Sequence, residues 1–155
     1  MPYFPLTLEM FGYTYATMRV VLDSNVLFAG LYSTRCASYL VLQDLADSVL
    51  DVGLSVGLYE EYSDVLRRPP LADDFTDEEA EAVLGFICSR ATLLDVFFLW
   101  RPVLKDPKDD LVLEAAVAFG ADAILTHNTK DFSGCEKFGI KVLTPGEYLK
   151  EKEKR

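Results

Sequence analysis

Short apolar runs alternate along the chain with longer segments whose apolar residues recur at helical spacing. The run RVVL, Arg19–Leu22, ends at an aspartate and is typical of a strand buried on both faces of a sheet. Four further runs predict strands: LDVGLS, ATLLDVFF, ADAILT and IKVLT. Apolar spacing predicts one helix over about residues 37–50 and another that begins after Ser55 and ends before Pro69.

Residues with strong capping preferences mark where other helices begin and end. TDEE, at residues 76–79, has the spacing of a capping box, and Thr144 followed by Pro145 predicts the start of a final helix. The stretch KDPKDDLVLEA opens another helix, which we expect to stop at Gly120, since glycine is favoured just past a helix end.

Strands that alternate with helices, without room for hairpins, predict a parallel sheet covered on both faces. We therefore expect an α/β protein, a three-layer α/β/α sandwich with a central parallel sheet, over residues 18–150. Residues 1–17 lack the basic start and the continuous apolar stretch of a secretory signal, so we interpret them as an N-terminal extension or a mis-start upstream of Met18. Residues 151–155 are a charged C-terminal tail.

Composition narrows the class of protein. The chain has 155 residues, enough for one domain, and half of them are apolar. Its three cysteines are far apart and without neighbouring histidines, which favours a reducing, cytoplasmic location over a disulfide framework or a zinc site. The net charge of −10 argues against a broad basic face for duplex binding, yet it is compatible with an acidic metal site. No window approaches the length of a membrane span.

Polar residues gather at the predicted carboxyl ends of the strands and on the helices that follow, which is where open parallel sheets carry their functional groups. The positions are Asp23, Asn25, Glu60, Glu61, Asp106, Asp109, Asp110, Thr126, His127, Asn128 and Asp131. Hard oxygen ligands without cysteines or paired histidines suit Mg²⁺ or Mn²⁺. The chain contains no GxGxxG, GxxxxGK[ST] or GxSxG motif, so the corresponding nucleotide and hydrolase sites are disfavoured.

Local structure offers the aspartates a second explanation. Asp23 could cap the helix after the first strand. Asp106 before Pro107 has the pattern of an ordinary helix N-cap, and Asp109 then falls in the first turn, where a negative charge is comfortable. Asp110 lies about 100° further around the helix and stays unassigned.

The remaining candidates also have structural alternatives. Helical angles place Glu61 beside the apolar stripe and Glu60 further from it, which favours Glu61. Asn128 and Asp131 are both common turn and capping residues. His127 is a lone histidine in a polar turn, and we interpret it as structural or adjacent to the substrate.

Four segments in order carry a family resemblance: VVLDSNVLFAG, LYEEYSDVLRRP, DPKDDLVLEAAVAFGADAILTHNTKDF and IKVLTPGEYL. Together they resemble the motifs of the PIN-domain ribonucleases, and among these the VapC-like toxin components of toxin–antitoxin pairs. The resemblance implies that Asp23, Glu61 and Asp109 are metal-binding catalytic acids. It places the fourth acid in THNTKDF, where Asn128 stands at the usual position and Asp131 follows three residues later. Asn25, Thr126 and Asn128 become supporting residues.

The function implied by the resemblance is a Mg²⁺- or Mn²⁺-dependent endoribonuclease that hydrolyses RNA, with Asp23, Glu61, Asp109 and Asp131 at its centre. It also implies a homodimer and a cognate antitoxin as partner. Two alternatives stay open. One is a catalytically weak PIN domain that acts as an RNA-binding or assembly module, and the other is a receiver-like phosphoacceptor domain that uses Asp23.

Overall fold

The computed structural model of the protein describes residues 17–96 and 103–154. The expectation for the N-terminal leader therefore falls, except at Thr17, outside the described residues, as does the end of the predicted ATLLDVFF strand. The proposed domain bounds of 18–150 stay a prediction. The last helix continues through Glu153, into the stretch expected to be a tail.

The fold is built on a five-stranded parallel sheet, as the alternating pattern predicts. Its strands are β1 Arg19–Leu22, β2 Asp51–Ser55, β3 Thr92–Leu94, β4 Ala123–Leu125 and β5 Lys141–Leu143. Their order in the sheet is β3-β2-β1-β4-β5. The chain steps outward from β1 to β3 and then returns to the other side of β1, so the order reverses between β1 and β4. Functional sites of open parallel sheets lie at the carboxyl edge of such a switch point.

Seven helices flank the sheet within the described ranges. They are α1 Ser24–Tyr32, α2 Ala37–Ala46, α3 Val56–Leu66, α4 Leu71–Asp74, α5 Asp77–Arg90, α6 Pro107–Phe119 and α7 Pro145–Glu153. Short 3-10 helices span Thr129–Phe132 and Cys135–Phe138. The predicted α/β fold class is confirmed. No helix in these ranges is long and apolar enough to cross a membrane.

The predicted helix boundaries are largely confirmed because local side-chain bonds fix them. The Ser55 hydroxyl accepts a hydrogen bond from the Leu58 amide at the start of α3. Capping boxes open α5 and α7, where Thr76 and Thr144 exchange hydrogen bonds with Glu79 and Glu147. At the end of α6, Gly120 adopts the left-handed conformation with φ 64°, which glycine reaches without steric cost.

The helix predicted over about residues 37–50 is shorter than expected. It ends at Ala46, because Ser48 takes a positive φ of 57° and the Asp44 carbonyl accepts bonds from the Val49 and Leu50 amides. Val49, whose spacing matches the apolar face, is consequently outside the helix and exposed. Apolar spacing alone did not predict this turn.

Two glycines let helices approach closely enough to shape the site. A Cβ on Gly53 of β2 would lie 2.7 Å from the Phe119 ring, so α6 packs directly on the sheet there. A Cβ on Gly30 of α1 would lie 2.9 Å from the Ser38 carbonyl oxygen, so α1 and α2 cross closely. The buried core includes all of β4 and the last three residues of β1, which holds the carboxyl ends of these two strands side by side.

Candidate active site

Asp23 lies directly after β1, at the point where the strand order reverses. It occupies the N-cap position of α1, but its side chain makes no capping hydrogen bond. Instead, its Oδ2 accepts a hydrogen bond of 2.8 Å from the Thr126 hydroxyl, and its backbone amide donates to the Leu125 carbonyl. The carboxylate is thus turned toward the carboxyl end of β4 and does not cap the helix.

Thr126 is the buried centre of the polar group around Asp23. Its Oγ1 donates to Asp23 and accepts from the Asn25 side-chain amide at 3.3 Å and from the Asn128 backbone amide at 3.0 Å. The three predicted supporting residues Asn25, Thr126 and Asn128 are therefore brought together. A fully buried hydroxyl with several partners holds its neighbours in fixed orientations.

His127 is held by hydrogen bonds at both its ring and its backbone amide. Its ring Nε2 lies 2.7 Å from the hydroxyl of the fully buried Ser38 on α2, and its backbone amide donates to Asn25 Oδ1 at 3.3 Å. This arrangement favours the structural interpretation of the histidine. The close crossing of α1 and α2 at Gly30 is what places Ser38 within reach.

Asp109 and Asp23 are partly withdrawn from water and face other acids. Burial raises the pKa of Asp109 to about 6, and the charges of Asp23, Asp106, Asp131 and Asp110 add to the rise. Burial likewise raises the pKa of Asp23, despite the hydrogen bonds from Thr126 and the Ser24 backbone, and the charges of Glu61 and Asp131 raise it further. Neighbouring negative charges disfavour the ionised forms of Asp23 and Asp109, so binding of a cation here would be favourable.

Glu61, on α3, reaches the same edge and has two cations beside it. Its side chain is 16% exposed and lies 3.8 Å from the guanidinium of Arg68 and 3.8 Å from Lys108 Nζ. The Ser24 hydroxyl also donates to its Oε1 at 3.4 Å. Glu60 is exposed, so the preference for Glu61 over Glu60 agrees with the placement of the two side chains.

The three clustered aspartates of KDPKDDLVLEA have different surroundings. Asp106 caps α6, with Oδ1 accepting from the Lys108 amide at 2.9 Å. Asp110 is buried, and its Oδ1 accepts from the amides of Leu104 and Val103 at 2.9 and 3.3 Å. It therefore fastens the segment that leads into α6. Asp109 alone of the three lies among the acids around Asp23.

The fourth acidic position remains divided between two residues. Asn128 precedes the 3-10 helix Thr129–Phe132 without a side-chain capping bond, and Asp131 is exposed within that helix. Asp131 is nevertheless close enough to raise the pKa of both Asp23 and Asp109. Its role as a ligand stays a prediction.

The donor set fits a hard divalent cation in chemistry and charge. Carboxylates are the ligands that Mg²⁺ and Mn²⁺ prefer, and Mg²⁺ commonly needs only one or two because it keeps several waters. Across residues 17–96 and 103–154, however, no three His, Cys, Asp or Glu side chains converge on one metal position. The residue types therefore fit the ion, although the described acids do not converge on one position for it.

Three further residues shape this edge without being among the predicted site residues. Ser24 and Arg68 hold Glu61, and the hydroxyl of the buried Tyr62 donates to the Leu22 carbonyl at the end of β1. Burial and the charge of Asp23 raise the pKa of Tyr62. The spacing of seven residues between Glu61 and Arg68, about two helical turns, could have indicated that pair.

Comparisons with known proteins place the chain in a family. A family model described as PIN domain matches residues 19–130. The chain belongs to the PIN domain family. The predicted family is thereby confirmed, and the matched residues of this PIN domain include Asp23, Glu61 and Asp109. No curated protein matches the chain significantly.

Solved structures share the fold of this PIN domain. One is VapBC2 from Rickettsia felis, solved bound to a DNA fragment from their promoter, with 17% sequence identity, a TM-score of 0.55, and 81% of this chain and 98% of that chain covered. Another is VapBC-1 from nontypeable Haemophilus influenzae, with 15% identity, a TM-score of 0.57, and 83% and 99% covered. Both are VapBC structures, and their likeness to this chain is one of fold.

Proposed function

We propose that this PIN domain is a Mg²⁺- or Mn²⁺-dependent endoribonuclease that hydrolyses RNA phosphodiester bonds at the carboxyl edge of β1 and β4. The observation that carries the proposal is the group of Asp23, Asp109 and Asp131. The charge of Asp131 raises the pKa of both Asp23 and Asp109, and the charge of Asp23 raises that of Asp109 further. The cations Arg68 and Lys108 lie beside Glu61. Carboxylates with shifted pKa values at the switch point of a parallel sheet are typical of active sites.

Asp23 and Asp109 would hold the ion, with Glu61, Asp131 and the neutral oxygen of Asn128 completing its surroundings. When bound, the ion supplies a water of lowered pKa and offsets the negative charge of the scissile phosphate. Thr126 and Asn25 keep the Asp23 carboxylate in one orientation through their hydrogen bonds. Lys108, beside Glu61, is placed to contact an RNA phosphate.

The test is cleavage of a structured RNA with single-stranded loops by the purified full chain, with Mn²⁺, beside an Asp23→Asn variant. Proteins read single-stranded RNA more readily than duplex, so cleavage is expected within loops. We expect Mn²⁺-dependent cleavage that EDTA stops and that Asp23→Asn lacks. Equal cleavage by both proteins would reveal a contaminating nuclease and contradict the proposal.

The partners follow from the VapBC likeness and belong to the same proposal. We infer a homodimer located in the cytoplasm and a cognate antitoxin that binds across the site. Light scattering of the purified chain should give twice the monomer mass. Co-expression with the protein encoded beside it should yield a complex that does not cleave RNA, and a monomer that binds no such protein would contradict both inferences.

A binding module is the second candidate function. It is favoured by two observations: the described acids do not converge on one metal position, and a neutral Asn128 stands at the usual fourth acidic position. Such a module would bind RNA yet leave it intact when Mn²⁺ is added. Thermal unfolding with and without Mn²⁺, run beside the cleavage assay, separates the two functions because it detects the ion whether or not RNA is cut.

A further inference from the structure

A cavity adjoins the acidic edge of the sheet. It has a volume of about 240 Å³ and lies between α1 and the end of α3. We propose that this cavity, called here the base pocket, binds one unstacked RNA base next to the cleaved phosphate; the proposal rests on RNA being the substrate. Its lining residues are Ser24, Asn25, Phe28, Val65, Arg68 and Pro69.

The base pocket shares a wall with the proposed metal site. Ser24 and Asn25 follow Asp23 directly in the chain, and both line the pocket. The Ser24 hydroxyl donates to Glu61, while the Asn25 amide donates to Thr126, which in turn bonds Asp23. A base in the pocket would therefore belong to a nucleotide beside the phosphate that the carboxylates face.

The apolar part of the lining suits a flat ring. Phe28 stacks on Tyr32 with ring centroids 5.7 Å apart and planes 9° from parallel, which fixes the orientation of the phenyl group. Val65 and Pro69 add aliphatic surface. Aromatic side chains are the usual platform on which proteins stack unpaired RNA bases.

The polar part of the lining can form hydrogen bonds with the edge of a base. Asn25 already uses one N–H toward Thr126 and one lone pair toward the His127 amide, so its amide is held in place with one donor and one acceptor to spare. A donor beside an acceptor is the pattern that nucleobase edges present. This fixed amide makes Asn25 the residue best placed to select among bases.

Arg68 stands at the rim between the base pocket and the acids. Its guanidinium lies 3.5 Å from Asp64 and 3.8 Å from Glu61, and half of the side chain is exposed. A guanidinium held in this way can contact a phosphate or lie against a base. The rim thus adds a positive charge where the RNA backbone would pass.

Size and chemistry separate the base pocket from another, larger cavity among the described residues. Its volume lies below the range of about 300–1,000 Å³ typical of pockets for drug-sized ligands, which suits a single base. The larger cavity, of about 320 Å³, is lined entirely by apolar residues: Leu27, Leu31, Leu42, Leu45, Ala82, Val83, Phe86 and Ile87. It offers no group that could recognise a base edge.

The experiment measures binding of short single-stranded RNAs to the full chain, with Ca²⁺ in place of Mn²⁺ and with gels to verify that the RNA stays intact. Each RNA position is made abasic in turn. We expect one abasic position to weaken binding about tenfold, because the base that stacks on Phe28 is then missing. Phe28→Leu should weaken binding of the intact RNA by a similar factor and abolish the penalty at that position.

Two variants control the interpretation. Phe28→Tyr keeps an aromatic ring and should retain both the affinity and the position dependence. Phe86→Leu removes an exposed phenyl group from the larger cavity and should bind RNA as the wild type does. Thermal unfolding of every variant shows whether the fold is intact, so a folded Phe28→Leu protein that binds weakly supports the base pocket.

The outcomes distinguish this inference from the proposed nuclease activity. Equal binding of all abasic RNAs, with Phe28→Leu binding as the wild type does, would overturn the base pocket and leave a partner protein's side chain as its occupant. Base-dependent binding through Phe28 without cleavage in Mn²⁺ would support the pocket and refute the nuclease. Cleavage without any position dependence would do the reverse.

Discussion

Asp44 and Asp23 are both aspartates withdrawn from solvent, yet their surroundings differ completely. Asp44, on α2, is 8% exposed and accepts hydrogen bonds from the Tyr148 hydroxyl at 2.9 Å and from Lys152 Nζ at 2.7 and 2.8 Å. It ties α2 to α7. Asp23 accepts a hydrogen bond from the Thr126 hydroxyl, and the charges of Glu61 and Asp131 raise its pKa.

The difference separates a structural carboxylate from a functional one. Removing a buried acid that is paired with a cation and a hydroxyl leaves those partners unpaired, which lowers the stability of the folded protein. Acids that face one another lower the stability of the protein until a cation joins them. The four predictions below test this contrast, in order of decreasing expected effect.

Replacing one acid of the functional group should remove activity. Asp109→Asn keeps the size of the side chain but removes a charged ligand, so cleavage of RNA in Mn²⁺ should fall by more than about a hundredfold. The measurement is the initial rate with labelled RNA. A rate near that of the wild type would exclude Asp109 from the site.

Replacing the structural acid should cost stability instead. Asp44→Ala leaves the Tyr148 hydroxyl and the Lys152 ammonium without their shared partner, and the expected loss is about 1–3 kcal/mol of unfolding free energy. Denaturant unfolding measures it, with the exposed Asp47→Ala as the matched control. The stabilisation that Mn²⁺ gives should be unchanged; a variant that loses it would contradict the division between the two acids.

Asp109→Asn should also make the metal-free protein slightly more stable near pH 7. The pKa of Asp109 is raised from 3.8 to about 6 in the folded state, so the stability associated with its neutral form is complete below about pH 4 and lost as the pH rises through 6. Asparagine stays neutral. Because solvent screens this partly exposed group, the melting temperature should rise by only about 1–3 °C.

The check is thermal unfolding in EDTA near pH 7 and below pH 4. The gain should be present at the higher pH and absent at the lower one, and Mn²⁺ should no longer raise the melting temperature of the variant as it does for the wild type. A gain of equal size at both pH values would show that charge repulsion is not its cause.

The smallest effect is expected at Asp106. Asparagine caps helices about as well as aspartate, so Asp106→Asn should lose only the favourable charge at the start of α6, less than about 0.5 kcal/mol. Cleavage should stay close to the wild-type rate. If Asp106→Asn damaged cleavage as much as Asp109→Asn, the separation of a capping from a metal-binding aspartate in this stretch would be wrong.

Much of the fold was predictable because its determinants are local. The apolar run of β1, the capping box at Thr76 and the glycine after α6 each act within a few residues, and each appears where the sequence places it. The end of α2 was not predictable in this way. It depends on a turn at Ser48 that apolar spacing does not encode.

The candidate site shows the same difference between features with local determinants and features that depend on the fold. Position after a strand made Asp23 and Thr126 candidates, whereas the family resemblance singled out Asp109, which local structure alone explains as a first-turn residue of α6. The hydrogen bonds of the site could not be predicted in this way, because they join residues that are far apart in the chain. Ser24 and Glu61 are 37 residues apart, and Asn25 and Thr126 are 101 residues apart.

By itself, the sequence determined which segments are strands and helices, where most helices begin, and which acids are available for chemistry. Only the tertiary structure decided that Asp44 is paired with a cation, that Arg68 and Lys108 lie beside Glu61, and that Phe28 lines a pocket beside the acids. The reason is physical. Helix and strand preferences act within a few residues, whereas the charge and solvent exposure of a side chain depend on groups that folding brings from distant parts of the chain.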